Sequence, residues 1–483
     1  MLRAIKEKLA NVKNAPENVK ATFFFGIASF SISGMKYLTT PIITRVLTTS
    51  EYGEINIYNS WFTIVAVIMS MTLIYPGILN VGLYEHKNDR WKFLSSMLGL
   101  ITVVSISVIA IYIILHKQIN SWIGIPSSLV VLMLLTGMIQ PATDIWTMKQ
   151  RYEYNYKITL LVTVGSAFFA QLVSIVAVLY FKDKGFDLAE VRLWSAGIVN
   201  LLVALILYFY ILCKGRQFYD LNLWKSTLTF AIPLIPHYIS YVILNGTDKI
   251  MIGKMIGNDK AGIYGLVAII SSIGILFWRA LMIAFSPFIN AKLGERSFAE
   301  IRNAVKVLWM YVGGFCIIAS IIAPEIIRIF APDNYLEGIY IIPPIAAGIL
   351  TFSMYDAFAA VSFFHKKSVN IMLASFTAAV ANIVLNYVAI KAFGYVAAGY
   401  TTLISHVILI VMHYINITRI EKEEIYDKKV IVLTLGIVTV ACLASNFLYK
   451  TPIYIRYIPA IGILCYLFIR RKDLYQTLAD MKV

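Results

Sequence analysis

The chain has 483 residues, of which 59% are hydrophobic and 14% charged, with a mean hydropathy of +0.75. Soluble domains are closer to half apolar and about a quarter charged, so a soluble enzyme or binding module is excluded and an integral membrane protein is indicated. The net charge of +16 comes from Lys and Arg scattered between apolar stretches, not gathered on one face, which argues against a nucleic-acid partner.

The first twenty residues carry Arg3, Lys6, Lys8, Lys13 and Lys20 but no apolar run followed by a small-residue cleavage site. A cytoplasmic segment 1–20 is therefore expected, with no signal peptide removed. Beyond it, about 285 apolar residues suffice for about fourteen helical crossings of roughly 20 residues each. Apolar stretches of this length predict helices and exclude an outer-membrane barrel, whose strands alternate over about ten residues. The predicted spans begin near Ala21, Ile55, Phe93, Pro126, Ile158, Glu190 and Thr227, then near Gly262, Val305, Ile341, Val369, Val396, Val430 and Tyr454.

With both termini cytoplasmic, the inner segments hold 28 Lys and Arg and the outer loops 12, as the positive-inside rule requires. The two remaining basic residues, Lys36 and Arg279, fall inside predicted spans. Trp91 and Trp224 mark inner edges and Trp122 and Trp194 outer ones. Every outer loop is short, which leaves no room for an external catalytic domain. Cys213, Cys316, Cys442 and Cys465 have neither metal spacing nor a disulfide framework and read as inert core thiols.

An internal repeat aligns Ile43–Gly53 with Ile252–Gly262 at an offset of 209, placing Arg45 on Lys254; Pro76 and Pro287 follow at an offset of 211. Six helices separate the copies, so the halves are parallel repeats about an axis along the membrane normal. The expected organisation is a first six-helix half at 21–212, a cytoplasmic linker at 213–226, a second half at 227–418, and two further helices with a tail at 419–483.

A basic side chain near mid-membrane costs about 2.5–3.5 kcal/mol on insertion scales, so it is expected to face water or an anion. Ser29, Ser33, Lys36 and Thr40 share one face of the first span, and Ser272 and Ser286 flank Arg279 on one face of the eighth. His237, Tyr241, Asn245 and Asp248 repeat the pattern in the seventh span, and Asn56, Ser60 and Thr63 in the second. These faces predict one shared polar cavity, with Lys36 and Arg279 as a floor for a phosphate-bearing substrate. The alternative is that both cations pair with buried acids or snorkel to the surface.

Asp144, Asp248, Glu325 and Asp356 are the acids in or beside spans, candidates for binding a coupling cation or for ion pairing. The run Gly394–Thr401 has the glycine spacing of a phosphate-binding loop, but Tyr400 stands where Lys is needed. His406 and His413 lack zinc-protease spacing. No cofactor and no metal site are expected.

The segment Pro41–Gly53, with Arg45, Leu47 and the Tyr52–Gly53 pair, resembles the signature of polysaccharide-biosynthesis flippases. Ile232–His237, Asp248–Ile252 and Ala261–Tyr264 are similar to the helix-seven region of O-antigen flippases of the Wzx type, within the multidrug/oligosaccharidyl-lipid/polysaccharide exporter superfamily. The resemblance implies two six-helix lobes of the multidrug-exporter type plus two C-terminal helices, without catalysis. It implies a cargo of undecaprenyl-pyrophosphate-linked oligosaccharide moved across a bacterial inner membrane, with membrane lipid, a glycan polymerase and a chain-length regulator as partners. By the same resemblance Lys36, Arg45 and Arg279 contact pyrophosphate or anionic sugar. A cation-coupled multidrug antiporter, expected to have an acid-dominated cavity, and a membrane glycan polymerase or ligase, expected to carry a large external loop, are the competing readings.

Overall fold

The computed structural model describes residues 16–481, so Arg3, Lys6, Lys8 and Lys13 of the expected N-terminal segment lie outside the described residues. Among the described residues there are helices and connecting turns but no strand. They divide into two compact units, one ending at Tyr238 and the other beginning at Ile239. The division falls within a helical run, C-terminal to the expected 213–226 linker, and the last helices belong to the second unit.

The first unit contains α1 (Glu17–Val46), α2 (Thr49–Ser70), α3 (Pro76–Glu85), α4 (Arg90–Ile123), α5 (Ser127–Ile139), α6 (Pro141–Tyr152), α7 (Tyr156–Phe181), α8 (Leu188–Gly215) and α9 (Leu221–Ala231). The chain continues through a 3-10 turn into α10 (Ile235–Met255), α11 (Asn258–Gly294), α12 (Phe298–Ile321), α13 (Ala323–Phe330), α14 (Ile342–Phe364), α15 (Ser368–Phe393), α16 (Ala397–Ile420), α17 (Lys428–Leu448), α18 (Ile453–Ile469) and α19 (Arg471–Asp480).

All fourteen predicted spans coincide with helices. Among the described residues eleven are long and apolar enough to cross a membrane, or twelve when α18 and α19, bent by 48°, count as one. That is fewer than the expected fourteen because α1 and α2 fall short in apolarity. α1 spends Ser29, Ser31, Ser33, Lys36, Thr39 and Thr40 on polar positions, and α2 carries Glu51, Glu54, Asn56, Asn59 and Ser60. Two spans are assembled from pieces, α5 with α6 and α9 with α10.

Local chemistry sets the boundaries. Thr48 and Glu51 form a reciprocal capping box that starts α2. The Asp187 carboxylate accepts from the backbone N–H groups of Ala189 and Glu190 and starts α8. Gly124, at φ 75°, ends α4 in the left-handed region that glycine tolerates best.

The repeat is visible in these boundaries. α1 ends at Val46 and α2 starts at Thr49; α10 ends at Met255 and α11 starts at Asn258, the same helix, two-residue break and helix displaced by 209. The proline pair diverges. Pro76 opens α3 after a break in which Met71 and Thr72 adopt positive φ, whereas Pro287 lies inside the continuous 37-residue α11.

In the second unit α14 is the most enclosed span, with 78% of its apolar window buried. Trp278, Phe285 and Trp309 are fully buried around it, as is Phe358 on α14 itself, and their rings make close-packed dispersion contacts. Outward faces carry large apolar side chains such as Ile113, Ile114, Leu161 and Phe169, as a hydrocarbon solvent permits.

In the first unit glycines mark close approaches of α4 to the end of α8 and to the turn that follows it. A Cβ on Gly99 would lie 1.9 Å from the Phe218 carbonyl oxygen, and one on Gly215 2.3 Å from that of Trp91. Gly99→Ala is accordingly expected to destabilise the protein by about 1–3 kcal/mol, because the obstacle is backbone and cannot rotate away. A thermal-unfolding midpoint in detergent equal to that of the parent would contradict this.

Candidate substrate and coupling sites

In the first unit, Lys36 is exposed on α1 and Ser33, one turn earlier, is half-buried. Thr40 is buried, and its hydroxyl donates to the Lys36 carbonyl at 2.8 Å. Thr39 donates across to Gln171 Oε1 on α7 at 3.2 Å. The same oxygen accepts from Arg192 on α8 at 3.5 Å, and the Arg192 guanidinium also donates to Ser174 Oγ at 3.1 Å. Arg192 lies close enough to Lys36 to act on it electrostatically.

This corrects the expectation that Lys36 and Arg279 are alone among basic residues within spans. Arg192 lies four residues inside α8, and Arg456 lies inside α18. The Asp187–Glu190 cap was the available signal for Arg192, since it fixes the helix start ahead of it.

Arg45, expected on the substrate, is exposed in the last turn of α1 and donates to the Pro41 carbonyl at 2.8 Å. There it satisfies a backbone acceptor at the negative end of the helix dipole. Asn56 and Ser60, expected to line a cavity, are instead buried. Asn56 Nδ2 donates to the Tyr52 carbonyl at 2.7 Å and Ser60 Oγ to the Asn56 carbonyl at 2.9 Å, so each satisfies its polarity on its own helix. Asp144, expected as a buried acid, is exposed in the first turn of α6. It shares a cavity of ≈ 330 Å³ with Arg151, which acts on it electrostatically.

Along α10, His237 is half-buried, with its ring centroid 5.2 Å from that of Tyr238. In the second unit, Arg279 is exposed on α11 and lies close enough to the half-buried Tyr241 of α10 to act on it electrostatically. Asn245 is exposed and donates to the Tyr241 carbonyl at 2.7 Å. Asp356, half-buried on α14, accepts from Trp278 Nε1 at 2.8 Å and lies in the field of Arg279. Among the described residues Arg279 forms no ion pair within 4.0 Å.

Asp248 is the one expected acid that is fully buried, at 3% exposure. Its carboxylate accepts from the Tyr264 hydroxyl at 2.6 Å, from Asn386 Nδ2 at 2.6 Å and from the Thr402 hydroxyl at 2.8 Å. Asn386 is held in turn by Asn382 at 3.2 Å and by Thr401. The carboxylate faces a cavity of ≈ 120 Å³ shared with Tyr264, Ser271, Thr402 and His406. That volume admits several waters, at about 10–15 Å³ of probe space each. Tyr264, Asn386 and Thr402 were not anticipated; Asn382 and Asn386, four apart in an apolar helix, were the legible signal.

Glu325, the remaining acid, pairs with Arg456, which is 6% exposed, and ties α13 to α18. Cys316 and Cys442 are buried, but Cys213 and Cys465 are exposed and so are not core thiols.

The model of the family described as polysaccharide biosynthesis protein matches residues 19–289, more than half of the chain. The chain belongs to the polysaccharide biosynthesis protein family. The family described as MatE also matches residues 233–388. Protein 1 of the lsg locus of Haemophilus influenzae is 21% identical over 287 residues, 57% of this chain and 67% of that protein.

In fold, this member of the polysaccharide biosynthesis protein family is similar to the lipid II flippase MurJ in an inward closed conformation. The TM-score is 0.68 and the identity 14%, with 94% of this chain and all of that chain covered. It is also similar to an inward-facing multidrug resistance MATE family transporter of the MOP superfamily, with a TM-score of 0.58 and 11% identity over 84% of this chain and 99% of that one. The all-helical, multi-pass fold of the described residues is therefore similar to that of the MurJ flippase and of the MATE transporter.

Proposed function

We propose that the protein is a flippase that carries undecaprenyl-pyrophosphate-linked oligosaccharide repeat units from the cytoplasmic to the outer leaflet of a bacterial inner membrane, with both termini cytoplasmic. The observation that carries the reading is that Lys36 and Arg279, each in a long helix of a membrane fold, are exposed and form no ion pair among the described residues. A cation without an ion-pair partner at such a position is costly unless water or an anion receives it. A hydroxyl-rich glycan bearing a diphosphate cannot cross hydrocarbon unaided, because each unpaired polar group costs about 2 kcal/mol or more. Basic side chains exposed at membrane depth offset that cost during passage, while the isoprenoid tail stays in lipid and no covalent bond is made.

Asp248 is the candidate coupling acid in this reading. Its three described donors are neutral, so its negative charge is available to a transported cation or proton. Asp356 takes a structural part, orienting Trp278 and balancing the field at Arg279, and Glu325 serves as an ion-pair partner.

The test is export in a host whose surface polysaccharide depends on this chain. Lys36→Ala and Arg279→Ala are each expected to reduce surface polysaccharide by at least tenfold, from loss of a charge-assisted contact of about 1.5–3 kcal/mol. Membrane abundance should stay at the parent level. Normal polysaccharide in both variants would overturn the reading.

A further inference from the structure

Arg192 is a cation that the proposed function does not use, and its surroundings in the first unit are unusual. Its guanidinium is fixed from two sides by α7, on Ser174 Oγ at 3.1 Å and Gln171 Oε1 at 3.5 Å. Gln171 is fixed in turn by Thr39, three residues after Lys36 on α1. Arg192 and Lys36 are thus brought into each other's field at the junction of α1, α7 and α8. Among the described residues neither forms an ion pair with a carboxylate, and their hydrogen-bonding neighbours are neutral.

Two like charges in an apolar helix bundle repel one another and each resists desolvation, so their joint placement calls for a shared anion. Ser174 and Gln171 take two of the guanidinium donors. The others remain for a forked contact to an oxyanion, which the ammonium of Lys36 complements as a point charge.

We infer that Arg192 and Lys36 form an oxyanion-binding subsite in the first unit, between the C-terminal half of α1 and the first turns of α8, and that it holds a phosphate or carboxylate of the translocated molecule. This rests on the flippase reading for the identity of its cargo but not for the anion chemistry. The basic-residue distribution assigns those helix ends to the outer face. The subsite is therefore placed to receive the anion late in the passage, and Arg192 is a specificity residue rather than part of the entry route.

The experiment measures binding of inorganic pyrophosphate and of glucuronate to the purified, detergent-solubilised full chain by calorimetry, for the parent, Arg192→Gln and Arg192→Lys, with the thermal-unfolding midpoint as a check on folding. Arg192→Gln is expected to weaken binding of at least one probe by about tenfold or more. Arg192→Lys, which keeps the charge and loses the fork, should fall between it and the parent.

Weakening for pyrophosphate identifies the diphosphate as the occupant and weakening for glucuronate an acidic sugar; either supports the subsite. Parent-like affinity for both probes in folded Arg192→Gln, or no saturable binding of either by the parent, overturns it. If Arg192→Gln unfolds, the comparison of Arg192→Lys with the parent decides on the same criterion. Should the subsite be upheld while Lys36→Ala and Arg279→Ala still export normally, the flippase reading alone fails; should those variants lose export while Arg192→Gln binds as the parent does, the subsite alone fails.

Discussion

Asp248→Asn is expected to abolish the dependence of transport on an imposed ion gradient while leaving passive exchange of the cargo intact. The substitution preserves shape but removes the charge that a coupling cation or proton would neutralise. It also replaces an acceptor oxygen with a donor amide, opposite Tyr264, Thr402 and Asn386, all of which donate to Asp248. At least one of those donors is then left unsatisfied, at a cost of about 1–3 kcal/mol. In proteoliposomes loaded with lipid-linked oligosaccharide, gradient-stimulated flipping should fall by about tenfold or more, the effect of losing a charged contact worth at least 1.4 kcal/mol. The thermal midpoint should fall as well. Undiminished gradient stimulation would assign Asp248 a purely structural part in joining α10, α11, α15 and α16.

Removing Glu325 is expected to be the most destabilising single change in the second unit. Arg456 is 6% exposed, and Glu325 is its described ionic partner. Deleting one member of a buried pair leaves an uncompensated charge and costs about 3–5 kcal/mol. The lower end applies here because the Glu325 side chain is 24% exposed. Glu325→Gln should therefore lower the unfolding midpoint and loosen α18 from α13, read as faster proteolysis near the α17–α18 turn. The double variant Glu325→Gln, Arg456→Met should regain most of the loss, since no stranded cation remains. If the double variant is no more stable than Glu325→Gln, the pair is not what holds α18.

Much of this arrangement is legible in the chain itself. The predicted stretches fall on helices because the transfer of a side chain into hydrocarbon is a local property, summed over about 20 residues. The 209-residue repeat is legible because the turn between two helices is set by a few neighbouring residues, and both copies end and restart at equivalent positions. Lys36 and Arg279 stand out for the same reason: a cation in an apolar run is anomalous wherever the run packs. Where local arithmetic is close to its threshold it misleads, as with α1 and α2, whose polar side chains leave them short of the apolarity of the other spans.

Polarity on a helix face does not reveal what that face meets. Asn56 and Ser60 share a face with a spacing that suits a watery cavity, yet they are buried and bond to their own backbone. Asp144 and Asp248 are both single acids beside apolar residues, and one is exposed while the other is enclosed by three donors. Sequence therefore determined the membrane class, the helices, the repeat and the anomalous charges, all of which follow from local composition and period. Only the tertiary structure could decide the partners, because Asp248 meets Asn386 and Thr402 across 138 and 154 residues and Glu325 meets Arg456 across 131. Such pairings depend on which faces close packing brings within about 3 Å, a distance that no pattern along the chain encodes.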